Sequence, residues 1–426
     1  MAIGVLFGVF AALLLIGTPV AAALAVSTLA AALVLGLPEI ALVQQMASNL
    51  SSTSLLAIPL FVFAGELMLR GGISEKIISF AAALVGRVKG GLGQVSVVAS
   101  TLFGGVSGSA IADVSAVGGA LIPQMIERGY QRDYAVNVTI SAALVALLVP
   151  PSHNMILFSA AAGGGISITD LFLAGIAPAL CLAVAIMVTA YIVARRRGYQ
   201  AEPFPGFAAI FTRLVAAIPG LLLVGIIFFG IKSGVFTAIE SATIAVIYAV
   251  LVTVLVYRRL KWADFVHAVS GATRTTGHIL FVIGAAGAFG WLMAYLQAPA
   301  MAVEAMQAIA HDRTLVLLLM VLALLVLGTF MDMAPLVIIA TPIFLPVAKA
   351  YGVDPVHFGV IMILSCGIGL LTPPVGSVLF IGAAIGKIDV AQTVKGLWPF
   401  YIAMLVVLLA VVLYPPLSLT LPAWGR

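Results

Sequence analysis

The sequence predicts an all-α polytopic membrane protein made of two inverted repeats, each with a re-entrant helical hairpin and a helix broken at a Pro-Pro pair. Three observations predict it. Charged residues make up 8% of the 426-residue chain and hydrophobic residues 63%, whereas a water-soluble protein carries about a quarter charged residues. With a mean hydropathy of +1.25, there is too little charge to cover a surface, so most of the surface faces lipid. Apolar stretches long enough to cross about 30 Å of hydrocarbon recur from end to end. They lack the two-residue alternation of an outer-membrane barrel, which leaves helices as the spanning element. Finally, the Gly- and Pro-broken segments occur twice, in one order and at nearly one offset.

Uninterrupted apolar spans cover 3–35, 55–69, 171–194, 213–231, 238–257, 279–296 and 397–419. The first contains Gly17-Thr18-Pro19, read as a kink in one long tilted helix. Broken segments lie at about 91–126, 135–165, 314–349 and 357–386. Gly105, Pro123, Pro150 and Gly163 recur 223 positions later as Gly328, Pro346, Pro373 and Gly386. Leu60-Phe61-Val62 and Leu280-Phe281-Val282 match at an offset of 220. Paired Gly/Pro-interrupted segments of this kind mark internal repeats. The reading is a first repeat over 1–195 (hairpin 91–126, broken helix 135–165). A connection and an unpaired span follow over 196–237, and then a second repeat over 238–426 (hairpin 314–349, broken helix 357–386).

Charge sets the expected orientation. The net charge of +5 is spread singly between apolar segments and forms no basic stripe, which excludes a nucleic-acid partner. Arg195-Arg196-Arg197 with Arg213, and Arg258-Arg259-Lys261, flank two spans and so share a side, the cytoplasm by the positive-inside rule. Arg87 and Lys89 precede the first broken pair and Arg128 and Arg132 follow it, so 91–126 dips in and returns to the same side. Counting crossings then makes the second hairpin dip from outside, with the N-terminus inside and the C-terminus outside. Met1-Ala2-Ile3 opens without a positive n-region or cleavage site and reads as the start of a membrane helix. Cys181 and Cys366 sit in apolar stretches without metal-ligand spacing and read as small core residues.

The candidate chemistry lies where the helices break. Hydrocarbon cannot satisfy an exposed peptide group, so non-helical backbone at membrane depth must line a cavity or an ion. The tips hold Gly104, Gly105, Ser107, Gly108 and Ser109, then Gly328, Thr329, Met331 and Asp332. The breaks hold Pro150-Pro151-Ser152-His153-Asn154 and Thr372-Pro373-Pro374-Val375-Gly376-Ser377. A Pro pair cannot continue the hydrogen-bond ladder, so carbonyls about one turn earlier lose their partners. Those carbonyls with Ser, Thr and Asn oxygens suit a hard cation. The helix restarting beyond the prolines aims free N–H groups at the same place, which suits a carboxylate. Candidate cation ligands are Ser107, Gly108, Ser109, Pro150, Asn154, Gly328, Thr329, Met331, Asp332, Thr372 and Gly376. Candidate substrate contacts are Ser107, Ser152, Asn154, Asp332, Pro374 and Ser377.

The remaining polar residues read as structural. Thr237-Ala238-Ile239-Glu240 fits a capping box, and Ser167-Ile168-Thr169-Asp170 is a similar helix start. Asp113 and Asp332 sit beside the tips, where hydrogen bonds to the tip are their expected role and a direct ion contact the alternative. His153 is assigned to packing or hydrogen bonding.

The combination of Gly-Gly-Val-Ser-Gly-Ser-Ala-Ile-Ala-Asp (104–113), Pro-Pro-Ser (150–152), Leu-Phe-Leu-Ala-Gly-Ile-Ala-Pro (171–178), Phe-Met-Asp (330–332), Asp-Pro-Val-His-Phe-Gly (354–359) and Ile-Gly-Leu-Leu-Thr-Pro-Pro-Val-Gly (368–376) resembles the large membrane subunit (DctM-type) of tripartite ATP-independent periplasmic (TRAP) transporters. The resemblance covers essentially the whole chain. It implies a multi-pass protein of the bacterial inner membrane that takes up organic acids by an elevator motion, with sodium as the coupling ion and no organic cofactor. It also implies three partners: a small four-helix membrane subunit, a periplasmic substrate-binding protein and a small carboxylate substrate. One position departs: Ser365 stands where the family usually has Asn.

Two other functions compete. A stand-alone dicarboxylate or anion secondary transporter would share the broken helices. An intramembrane serine protease would use Gly105-Val106-Ser107-Gly108, with Ser107 as nucleophile and His153 or His278 as base. It leaves the second hairpin and second Pro-Pro break unexplained, so the expectation is a protein that is not an enzyme. No His-Glu-x-x-His supports zinc chemistry, and no Gly-x-x-x-x-Gly-Lys-Ser/Thr loop supports ATP use.

Overall fold

Small polar residues ahead of apolar runs set the helix starts. Thr237 and Glu240 close a capping box, and Ser167 accepts the Asp170 N–H at 3.2 Å. Asp312, Asp332, Asp354 and Asp389 each accept backbone N–H groups at helix starts in the second half. These oxygens satisfy donors that hydrocarbon cannot. The computed structural model describes residues 1–424 apart from Glu202 and Phe204, with the side chains of Ser54 and Val106 also left aside. Among the described residues it contains helices and no strand.

The first half holds α1 (Ala2–Leu15), α2 (Val20–Val34), α3 (Glu39–Leu50), α4 (Ala57–Arg70), α5 (Ile73–Val85), α6 (Gly91–Ser107), α7 (Ala110–Asp113), α8 (Gly119–Glu127), α9 (Arg132–Ala143), α10 (His153–Ala161) and α11 (Ile168–Arg196). The second half holds α12 (Phe207–Lys232), α13 (Ala238–Leu251), α14 (Trp262–Tyr295), α15 (Ala298–Ile309), α16 (Arg313–Gly328), α17 (Met333–Ala350), α18 (Pro355–Gly369), α19 (Ser377–Gly386), α20 (Val390–Leu413) and α21 (Pro416–Trp424). Among the described residues six helices are long and apolar enough to cross a membrane: α11, α12, α13 with its π turn to Val256, α14, α17 and α20. The chain is a multi-pass membrane protein.

Three expected spans differ. The single tilted helix over 3–35 is two helices: Gly17 adopts φ +86 and Pro19 starts a new helix, so α1 and α2 pack side by side. The span at 279–296 is the latter part of a 34-residue helix that starts at Trp262. The last span ends at Leu413, because Pro415 cannot continue it, and α21 follows separately.

Both broken pairs return to where they began. Tyr351, just past α17, donates its hydroxyl to the Ala310 carbonyl, just before α16, at 2.7 Å. In the first half α8 packs back on α6, and Tyr130, just past α8, lies against Tyr134 and Tyr199. Each pair is therefore a hairpin, and the second is clamped at its base by a tyrosine. The two broken helices run antiparallel. Arg132 at the start of α9 donates to the Gly386 carbonyl at the end of α19 at 2.8 Å, while Phe158 of α10 lies against Phe358 at the start of α18, ring centroids 6.4 Å apart.

Element bounds recur at the sequence offset. The starts of α16, α18, α19 and α20 follow those of α6, α9, α10 and α11 by 222, 223, 224 and 222 residues. A further pair had no sequence signal: α5, bent by 68° from α4, and α15 both lie between a span and a hairpin.

Candidate functional site

At the first tip, α6 ends at Ser107 because Gly108 turns left-handed at φ +58. A Cβ on Gly108 would stand 2.7 Å from the Pro151 carbonyl oxygen and 3.1 Å from the Ser152 Cα, so only glycine lets the tip touch the first break. Ser109 then caps α7, its hydroxyl accepting the Ala112 N–H at 3.4 Å. From the break, Asn154 donates from Nδ2 to the Gly108 carbonyl at 3.3 Å. The Pro150 carbonyl lies against Gly105, 3.0 Å from where its Cβ would be. Pro150, Pro151 and Ser152 are all buried.

The buried oxygens here are not all used. Ser152 Oγ and Asn154 Oδ1 are enclosed and have no hydrogen-bond partner among the described residues. Buried oxygens of that kind are costly unless something satisfies them, and as neutral oxygen donors beside freed carbonyls they fit a hard cation or a ligand donor. Asp113 does not bond the tip as expected: it is fully buried, the Ser100 hydroxyl in the arm of α6 donates to its Oδ2 at 2.6 Å, and its Oδ1 has no partner among the described residues. A π turn at Val114–Gly118 follows it in the returning arm.

The second tip meets the second break by other bonds. The Val375 N–H donates to the Thr329 carbonyl at 3.0 Å, and the Ser377 hydroxyl donates to Asp332 Oδ1 at 3.2 Å. The same carboxylate oxygen accepts the Met333 N–H at 2.9 Å and so starts α17. Gly328 packs directly on Gly369, where a Cβ would stand 2.6 Å from the Gly328 Cα. Small residues allow that approach inside a membrane, where close packing replaces the hydrophobic effect. The Thr329 and Thr372 hydroxyls donate back to their own helices, to Val326 and Ile368 carbonyls, and keep only their lone pairs free. Gly376 takes φ +28 beside the Thr372 carbonyl, and Met331 is buried. Ser365 donates to the Ile361 carbonyl of its own helix at 2.7 Å. Unlike the first break, this one is open: Pro373, Pro374 and Val375 are exposed, as is Phe330 of the tip.

A cavity of about 570 Å³ joins the two halves. Ser107 and Ser109 of the first tip, His153 and Asn154 of the first break, and Asp332 of the second tip all line it. Ser377 is bonded to Asp332 of this lining, whereas Gly108, Pro150, Ser152, Gly328, Thr329, Met331, Thr372, Pro374 and Gly376 do not line it. Its opposite wall holds Glu66 of α4 and Arg274, Thr275 and His278 of α14. Sequence reasoning gave Glu66, Arg274 and Thr275 no site role, and His278 only that of base in the protease alternative, because it sought helix breaks and this wall has none. A second cavity, about 710 Å³ between α3, the end of α10, α14 and α17, holds none of the candidate residues. The protease arrangement does not form: the Ser107 hydroxyl accepts the Ser109 N–H at 3.5 Å, and among the described residues no hydrogen bond joins it to His153 or His278.

The family model described as tripartite ATP-independent periplasmic transporter, DctM component, matches residues 7–417. The 2,3-diketo-L-gulonate TRAP transporter large permease protein YiaN of Escherichia coli is 35% identical, over 99% of this chain and 99% of that protein. The sialic acid TRAP transporter large permease protein SiaM of Vibrio cholerae is 37% identical, over 89% of this chain and 88% of that protein. Among solved structures, the Alcanivorax borkumensis YdaH transporter shares the fold, with a TM-score of 0.59 over 89% of this chain and 86% of that one at 14% identity.

Proposed function

This chain belongs to the DctM-component family of tripartite ATP-independent periplasmic transporters, as a large permease and not an enzyme, and on that premise we propose that it imports small carboxylates by sodium symport with a periplasmic binding protein. The supporting observation is the shared cavity. Ser107, Ser109, Asn154 and Asp332 come from both halves of the chain and face one space of about 570 Å³, a size suited to a small organic ligand. Cation sites form where each tip meets its break, from freed carbonyls and from Ser, Thr and Asn oxygens. The cargo carboxylate sits between them, against the restarting helices.

Glu66, which lines the cavity, pairs with Arg70 at the basic end of α4, which supports reading the cavity as open to the cytoplasmic face by the positive-inside rule. We read the two halves as inverted repeats that move the tips between faces, a reading that the antiparallel broken helices support. The small four-helix membrane subunit and the binding protein complete the transporter, and the binding protein selects the cargo.

Reconstitution with both partners in proteoliposomes tests this. Uptake of radiolabelled succinate, sialic acid or 2,3-diketo-L-gulonate should follow an imposed inward sodium gradient without ATP. It should stop when the binding protein is left out. Equal uptake with potassium on both sides would sink sodium coupling, and uptake without the binding protein would favour a stand-alone carrier.

A further inference from the structure

The wall of α4 and α14 carries charge that neither tips nor breaks explain. Glu66 is held by Arg70, Oε2 to Nε 3.4 Å, and its carboxylate lies against Gly271, where a Cβ would stand 3.2 Å from Oε2. Asp332, the other carboxylate of the cavity, is engaged by the Met333 N–H and the Ser377 hydroxyl. Arg274 forms no ion pair with either, nor with any other described residue. It stands about 18 Å along α14 from Trp262, at 1.5 Å per residue, and is exposed, as are Thr275 and His278. Its guanidinium thus lines the cargo cavity without a protein ion partner among the described residues. Its planar fork of donors matches a carboxylate by two parallel hydrogen bonds, and Thr275 and His278 beside it add further polar groups to the same wall.

We propose that Arg274, with Thr275 and His278, forms a carboxylate-binding subsite for the cargo on the wall across from the tips. The proposal rests on the import reading above and gives that cavity a specificity-determining residue outside the broken segments. Because α14 carries neither tip nor break, the subsite meets cargo only while the tips face this wall. It therefore acts on the cytoplasmic, release side, drawing the carboxylate from the tip sites and rejecting uncharged solutes.

The test compares wild type, Arg274→Gln and Arg274→Lys in the complete complex, in proteoliposomes, with whichever of succinate, sialic acid and 2,3-diketo-L-gulonate the wild type carries. Half-saturation is measured separately for external uptake and for counterflow driven by cargo inside the vesicle. Arg274→Gln should raise the internal half-saturation concentration tenfold or more, while the sodium half-saturation stays within twofold. Arg274→Lys should recover part of the loss. If Gln shifts neither face, or shifts cargo and sodium together, the subsite is wrong while the import reading stands. If Gln is inactive, Lys decides: an inactive Lys variant also overturns the proposal. A wild type that carries none of the three acids removes the import reading and the subsite with it.

Discussion

Asn154 does two things at once at the first site. Its Nδ2 holds the tip through the Gly108 carbonyl, and its Oδ1 is buried without a partner beside Ser152 Oγ. A ligand role for the oxygen and a holding role for the amide are separable by substitution. Asn154→Asp should keep an oxygen ligand and retain sodium-driven uptake, whereas Asn154→Ala should lose it. Removing one polar contact costs about 1–3 kcal/mol, or roughly a 5- to 150-fold rise in the sodium concentration for half-maximal uptake. Ser27→Ala, which removes only a bond to the Leu24 carbonyl of its own helix, should leave that concentration unchanged. Sodium titrations of uptake measure both, and identical curves for Asn154→Ala and Ser27→Ala would mean that the break is only a kink. At this scale the sequence was readable at the tips and breaks, since Gly108, Pro150 and Asn154 interrupt apolar runs with residues that stop helices. It was unreadable at Arg274, whose placement in the cavity depends on which way a long helix turns its face.

The hairpins show what a whole element adds. Their arms could be read as apolar helices around a polar tip, but the tyrosine clamp at the base of the second joins residues that only folding brings together. The Tyr351 hydroxyl ties Ala310 to the end of α17. Tyr351→Phe removes one net hydrogen bond, about 0.5–1.5 kcal/mol. It should lower the thermal unfolding midpoint of the detergent-solubilised protein by about 1–3 °C, without altering sodium affinity at the tip. An unchanged midpoint would show that packing of the arms alone closes the hairpin. The ion pair at the start of α9 works similarly, with Arg197 bound through two nitrogens to Asp133, each at 2.7 Å, and to Gln131 at 2.6 Å. It ties the base of the broken helix to the end of α11 on the basic face.

For the molecule as a whole, orientation is the property at stake. Dividing 3–35 into α1 and α2, apolar helices of 14 and 15 residues, removes the single crossing on which the side expected for residue 1 rested. The crossings between the hairpins are untouched, so the inverted arrangement still requires Arg196 and Arg259 inside and Asp312 outside. Single cysteines at these positions, in a background without Cys181 and Cys366, should react with an impermeant maleimide from opposite faces. Labelling of all three from one face would refute the inversion.

The sequence by itself determined the membrane class, the family and the positions of the four interruptions. Each follows from local chemistry: too few charges to meet water, and Gly and Pro where a helical ladder must stop. What only the tertiary structure decided was which interruptions share a space and what faces them. The first break is buried under its tip while the second is open, although the two read alike, because burial depends on the neighbouring helices and not on the motif. The wall bearing Glu66, Arg274 and His278 likewise exists only when α4 and α14 pack beside the tips, since a helix without breaks does not announce which of its residues will line a cavity.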